Sequence, residues 1–256
     1  ENYLGGPNKD IVRSVRLRGE LSCGIILSPE LCKLQCGKSL EELPNDEDLR
    51  ELLGITQYIP TIPKEMEGDV QVTSNKHLSS NLEVEQYGIY SSEFVEGERV
   101  IASEKLHGTQ LVAYLKVENH KIVDKWITTK NYNRQGMDIL YSPDNFYWKC
   151  AESEYLFNLM EEEYVSTGDP NKVIQVYAEA LPANKGYSYG FNSSDVSLRV
   201  IDIRLNTISV PLDDVPEAFK KIWAPIIYDG PYTDISSMKA LAKGSEHVSG
   251  RAIHIR

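Results

Sequence analysis

The sequence predicts an α+β protein built mainly on antiparallel sheets. Three observations carry that prediction: strand-like runs separated by turns from about residue 84 onward, one clear helical stretch among them, and a β-rich first forty residues. The chain has 256 residues, 41% hydrophobic and 25% charged, a balance that excludes disordered and fibrous classes. That length suits one large domain or a small one joined to a medium one, and two domains is the expectation.

The amino-terminal stretch comes first. "IVRSVRLRG" alternates apolar and basic residues, Gly19 marks a turn or bulge, and "LSCGIILSP" stays extended up to Pro29. Residues 1–37 therefore resemble the end of a small barrel or sheet. Residues 38–83 carry acids, prolines and polar residues, with one short helical candidate at "DEDLRELLGI", and are expected to form a connector. From residue 84 to 256 the strand candidates are "ERVIASEKL", "TQLVAYLKVE", "KIVDKWITT", "KVIQVYAEAL", "LRVIDIRLNTISV" and "RAIHIR". The helix is expected in "FYWKCAESEYLFNLMEEEYV", where Trp148, Ala151, Tyr155 and Leu159 recur at helical spacing after the start signals Pro143, Asp144 and Asn145. No internal repeat or low-complexity tract is present.

Charge narrows the function classes. A formal net charge of -11 argues against a protein that coats nucleic acid nonspecifically, because phosphate neutralisation supplies most of that affinity. It leaves room for a local basic groove. The acids fall in blocks such as "EELPNDEDLRE" and "EEE" at 161–163, which suit solvated faces or helix starts, while bases gather in "RSVRLR" and among Lys125, Lys130 and Arg134. Cys23, Cys32, Cys36 and Cys150 lack the second pair that a zinc site needs. No run is long and apolar enough to span a bilayer, and the first residues show no secretory pattern. Free thiols in a cytoplasmic protein are the expectation.

The sequence contains no GxxxxGK(S/T), GxGxxG or HExxH pattern. Enzymatic work on nucleotides would need another device, and a lysine nucleophile is one. A lysine attacks as the free amine, and a usual pKa of about 10.4 leaves little of it at neutral pH. Neighbouring cations, a metal or desolvation must lower that value. "EKLHGTQL" places Lys105 at the end of one expected strand, with His107 and Gly108 before the next. Glycine permits close approach of the backbone to a ligand. A solvated turn would give the same letters, and Lys130 and Arg134 are candidate cationic neighbours.

Taken with its companions, "EKLHGT" resembles the KxHG form of the nucleotidyl-attachment motif of covalent nucleotidyltransferases, the form used by RNA ligases. "WITTKNYNRQG" resembles the motif that sets a basic residue on the nucleotide ribose, with Lys130 at the matching position. "VYAEAL" resembles the (F/Y)GE motif, with Glu179 as its carboxylate. "LRVIDIRL" resembles the strand motif that covers adenine, with Ile201 on the ring and Asp202 after it. "IIYDGPY" and "ALAKGSEHVSGRAIHIR" resemble the approach to the next motif in the ATP-dependent RNA ligases with an amino-terminal OB-fold module, the Deinococcus RNA ligase-like subgroup. The resemblance covers nearly the whole chain.

It implies a nucleotidyltransferase (ATP-grasp-like ligase) domain of antiparallel sheets with flanking helices over 84–256, preceded by part of an OB-fold β-barrel over 1–37. It implies ATP as cosubstrate, a covalent AMP on Lys105, and Mg2+ or Mn2+ with Glu179 as the metal carboxylate. Glu104, Leu106, Gly108, Lys130, Arg134, Glu179 and Ile201 would bind nucleotide, and His107 and Gln110 would contact the substrate ends. The implied partners are RNA ends, with nicked duplex and RNA on a DNA splint both open, for a monomer engaged in RNA repair. Several positions depart from the pattern: Gln110 stands for Asn, Ala178 for Gly, Ile201 for an aromatic, and Lys130 for an arginine, whose bidentate fork is lost. In the family, a segment like "HIR" continues into Glu-Gly and then a lysine motif, so the resemblance implies a chain shortened at both ends. A DNA ligase or capping-type guanylyltransferase is the second reading, against which His107 in place of Asp argues. A non-catalytic protein that binds nucleic-acid ends is the third.

Overall fold

The computed structural model describes residues 15–17, 20–22, 49–50, 52, 62, 66–73, 87–134, 136–182, 189, 194–241 and 252–255. The chain divides into two compact units, Glu1–Ile59 and Pro60–Arg256. In the first, β1 (Val15–Leu17) and β2 (Glu20–Ser22) form an antiparallel hairpin with Leu17 opposite Glu20. The rest of the expected OB module, the helical candidate at 46–55 and Cys23, Cys32 and Cys36 lie outside the described residues, apart from a few isolated positions near Arg50.

The second unit begins, among the described elements, with β3 (Val70–Val72), a strand within the span expected as a connector. The short helix α1 (Tyr87–Tyr90) follows, then β4 (Arg99–Lys105), β5 (Thr109–Glu118) and β6 (Lys121–Thr128). Next come α2 (Lys130–Arg134), β7 (Met137–Ile139), α3 (Phe146–Ser153) and α4 (Leu156–Met160), which runs into a π turn at Glu161–Val165. The chain continues with β8 (Lys172–Leu181), β9 (Ser197–Leu205), β10 (Ile208–Ser209), α5 (Glu217–Lys220), β11 (Ile226–Pro231), α6 (Ile235–Leu241) and β12 (Ala252–Ile255). The strands expected at 109–118 and 172–181 stand at those residues, because their apolar runs are long and bounded by turns. Among the described residues no helix is long and apolar enough to cross a membrane.

Two antiparallel sheets result. The larger has seven strands in the order β10-β9-β8-β5-β6-β7-β3, and the smaller has three in the order β11-β4-β12. One face of the large sheet carries the main core: Leu111, Leu115, Ile174, Val176 and Leu198 pack beneath Trp148, Leu156 and Met160 of the helices. This face alone would leave the sheet half covered. The opposite face holds a smaller buried cluster of Val112, Tyr114, Trp126 and Tyr177, with Tyr114 and Trp126 stacked at 4.8 Å.

The single helix expected over 146–165 is broken. Tyr155 takes a left-handed conformation with φ 52° between α3 and α4, a cost that a bulky residue rarely bears. The break shifts the helical phase. Leu156 and Met160 enter the core fully buried, and Tyr155, expected on the buried stripe, is 71% exposed. Burying leucine and methionine gains apolar area without having to partner a phenol hydroxyl. At the start of α3 the expected signal works as read: the Asn145 side chain accepts hydrogen bonds from the Tyr147 and Trp148 amides at 2.9 and 3.3 Å.

Candidate active site

The lysine motif is the crossing point between the two sheets. Lys105 is the last residue of β4 in the small sheet, and Thr109 is the first of β5 in the large one, so Leu106, His107 and Gly108 form the link. Leu106 anchors the link by packing against the main core. Lys105 is exposed.

Gly108 is required by contact. A Cβ there would stand 2.3 Å from the Ala180 carbonyl oxygen and 2.8 Å from both Glu179 Cγ and Leu181 Cδ2. Glycine alone lets the loop lie flat on β8. The Gly108 amide then donates to Glu179 Oε1 at 2.8 Å, and the neighbouring His107 amide donates to the Tyr189 hydroxyl at 2.7 Å. Two successive amides are thereby fixed from two elements.

Glu179 lies opposite Gln110 on β5 and Arg199 on β9, and the Arg199 guanidinium reaches Glu154 Oε1, at the end of α3, at 3.2 Å. Burial raises the pKa of the Glu179 carboxyl, while the Gly108 amide and the positive charge of Lys105 pull it down; the balance is upward. Gln110 Oε1 is buried and has no hydrogen-bond partner. Glu104, half-buried in β4, has its amide bonded to the Pro225 carbonyl at 2.8 Å. Ala224 in turn donates to the Val200 carbonyl at 2.8 Å. Residues 224–225 thus tie the end of β4 to the middle of β9.

Ile201 occupies a β-bulge. Tyr177 pairs with Asp202 and Ala178 with Val200, which leaves Ile201 as the extra residue in β9. The register sets Asp202, opposite Tyr177, on the same face as Glu179, with Ile201 the unpaired residue beside it. Asp202 is committed: it accepts from Arg204 Nε at 2.8 Å and from Ser209 Oγ at 2.8 and 2.9 Å, and Arg204 lies 4.9 Å from the Tyr177 ring centre. Lys130 opens α2 beside β7, exposed, where Thr129 Oγ1 accepts from the Tyr132 amide at 3.2 Å and caps the turn. Arg134 closes the same helix. The structure therefore joins Lys105, Leu106, His107, Gly108, Gln110 and Glu179 in one loop-and-strand site, with Ile201 on the adjoining strand and Glu104 tied in through Pro225. Lys130 and Arg134 stand at the two ends of α2.

Sequence reasoning missed Tyr189. Its only signal is a tyrosine beside glycine in "GYSYGFN", a pattern with no periodicity to mark it. Among the described residues no group of three His, Cys, Asp or Glu forms a metal cluster. A hard cation that is shared with substrate phosphates needs only one or two protein carboxylates, and half-buried Glu179 meets that requirement.

The fold is a mixed α/β one built on antiparallel sheets, and it resembles that of solved RNA ligases. Among the solved structures it resembles are two mutants of the RNA ligase of Naegleria gruberi, each with ATP and manganese. A glutamate-to-alanine mutant matches with a TM-score of 0.53 at 15% identity, and a lysine-to-alanine mutant with a TM-score of 0.51 at 17% identity. Each match covers 95% of this chain and 70% of the other. No protein-family model matches the sequence, and no curated protein does.

Proposed function

We propose that this chain carries the adenylyltransferase centre of an ATP-dependent RNA ligase that joins 3′-hydroxyl and 5′-phosphate RNA ends in RNA repair. The observation that carries the proposal is the Lys105–Gly108 link, clamped onto Glu179 in a fold of RNA-ligase architecture.

In the first step Lys105 Nζ gives up a proton and attacks the α-phosphorus of ATP. A P–N bond forms, the bond to the bridging oxygen breaks, and pyrophosphate leaves. In the second, an RNA 5′-phosphate oxygen attacks the same phosphorus and the Lys105 amine departs, taking back a proton. In the third, a 3′-hydroxyl attacks the activated 5′-phosphate and AMP leaves. Each step is an in-line displacement, so the protein works mainly by positioning and by neutralising charge.

Gly108 lets the loop approach closely and Leu106 fixes its base. Glu104 reaches adenine, Ile201 covers one adenine face, and Lys130 with Arg134 serves the sugar and phosphates. Glu179 holds the ribose and would ligate Mg2+ or Mn2+, which supplies charge neutralisation at the phosphates. His107 and Gln110 meet the RNA ends. The hairpin β1–β2 belongs, in this reading, to an OB module that precedes the catalytic domain.

The test incubates the protein with ATP labelled at the α-phosphate and a divalent metal. An acid-labile label on the protein, absent in Lys105→Ala, is expected. A folded wild-type protein that takes no label overturns the reading. Preference for GTP would point instead to capping chemistry, and faster sealing of nicked DNA than nicked RNA to a DNA ligase.

A further inference from the structure

We infer that a second site, on the opposite face of the large sheet from Glu179, takes one unpaired nucleotide of a single-stranded RNA. It is a cleft of about 230 Å3 where α3 and α4 meet β6 and the segment after β7. That is smaller than the roughly 300–1,000 Å3 of pockets for drug-sized ligands, so it suits a single ring system. Lys125 pairs with Leu115 of the main core, whereas Gln110 pairs with Glu179. The cleft is therefore separate from the candidate active site. That the nucleotide comes from RNA rests on the ligase reading.

Aromatic rings dominate the lining. Trp148 forms the floor, buried and held by its indole N–H, which donates to the Ile139 carbonyl at 3.3 Å. Phe157 stacks on Trp148 at 5.4 Å, and Tyr141 meets it edge-on at 5.1 Å. Tyr141 and Tyr155 are 61% and 71% exposed at the cleft. Tyr155, at the left-handed break between α3 and α4, sets its ring at the cleft. Exposed rings of this type are platforms for unpaired bases.

The polar groups complete the match. Asn158 offers an amide, and the Glu152 carboxylate, which already accepts from the Tyr141 hydroxyl, keeps further lone pairs; these are the groups that accept from and bond to the amino edge of adenine or cytosine. Lys125 Nζ lies 5.5 Å from the Phe157 ring centre, where it can meet the phosphate attached to a stacked base. The same amine opposes a cationic peptide side chain on that ring. Glu161 and Glu162, exposed one turn beyond Phe157 and Asn158, repel a long phosphate backbone. One nucleotide is thus favoured over a continuous strand track.

The test is ultraviolet cross-linking of a six-residue riboadenylate to the protein, with the adduct mapped by peptide mass spectrometry. The adduct is expected within residues 141–158. Tyr155→Gly, which tolerates the left-handed backbone, should cut its yield about tenfold, consistent with loss of one stacked base. Lys125→Gln should cut it several-fold, and both variants should still form lysyl-AMP. No adduct in this segment, or an adduct unchanged in both variants, overturns the proposal. Complete displacement by AMP at equal nucleotide concentration reassigns the cleft to a free nucleotide and overturns it as well. Lys105→Ala should abolish the ATP label yet leave this cross-link, so failure of the ligase reading and failure of the cleft give different results.

Discussion

Gly108 makes the sharpest residue-level demand in the molecule. An alanine methyl would press on the Ala180 carbonyl, which is backbone within a paired strand and cannot swing aside. Overpacking of this kind costs about 1–3 kcal/mol, and the loop can relieve it only by lifting from Glu179. Gly108→Ala should therefore lower the midpoint of denaturant unfolding and suppress ATP labelling of Lys105 together. Normal labelling in that variant would show that the clamp on Glu179 does not position the lysine. Asp138 makes a different demand. Its side chain is fully buried, and burial pushes its pKa up to about 6 against the opposing pull of a hydrogen bond from the Thr73 side chain. A raised carboxyl pKa means that the folded state holds the proton more tightly than the unfolded chain. Stability from this group is present below the unfolded value near 4 and is lost as pH rises through about 6, by on the order of 2–3 kcal/mol. Asp138→Asn should flatten that segment of the stability–pH curve and be the more stable protein at pH 7.5. Parallel curves for the two proteins between pH 4 and 7 would contradict the assignment.

At the scale of elements, legibility followed length and periodicity. β5 and β8 each run for ten residues between turn signals, and alternation or apolar continuity over that span marks a strand. β3 and β7 have three residues each, too few for any period to show. The break at Tyr155 escaped the helical pattern because Trp148, Ala151, Tyr155 and Leu159 do recur at the right spacing. What overrode that spacing is tertiary: the core accepts Leu156 and Met160, and a slip of one residue supplies them. The bulge at Ile201 is equally invisible locally, since it exists only as a mismatch between β9 and its partner. The site followed the same rule. Lys105, Gly108 and Glu179 carry recognisable letters, and their meeting is a matter of sheet register, whereas Tyr189 reaches His107 from a distant loop and left no mark in the sequence.

At the scale of the whole molecule, charge decides how RNA can be held. A chain with formal charge -11 repels phosphates over most of its surface, so attraction must be confined to a few cations. Lys105, Lys130 and Arg134 are those assigned here to the reaction. Each phosphate neutralised releases counterions, and for single strands the slope of log K against log salt is about -0.7 per contact. Three such contacts, or four with Lys125 at the second cleft, give a slope of about -2 to -3, far shallower than that of a protein coating nucleic acid. Titration of a single-stranded RNA against the protein at increasing potassium chloride measures the slope directly. A value of about -2 to -3 that becomes shallower in Lys130→Ala fits these contacts. A slope steeper than about -5 would require a basic surface that Lys105, Lys130 and Arg134 do not supply, and RNA engagement would then have to be reassigned to other residues of the chain, with "RSVRLR" at 13–18 the first to be changed.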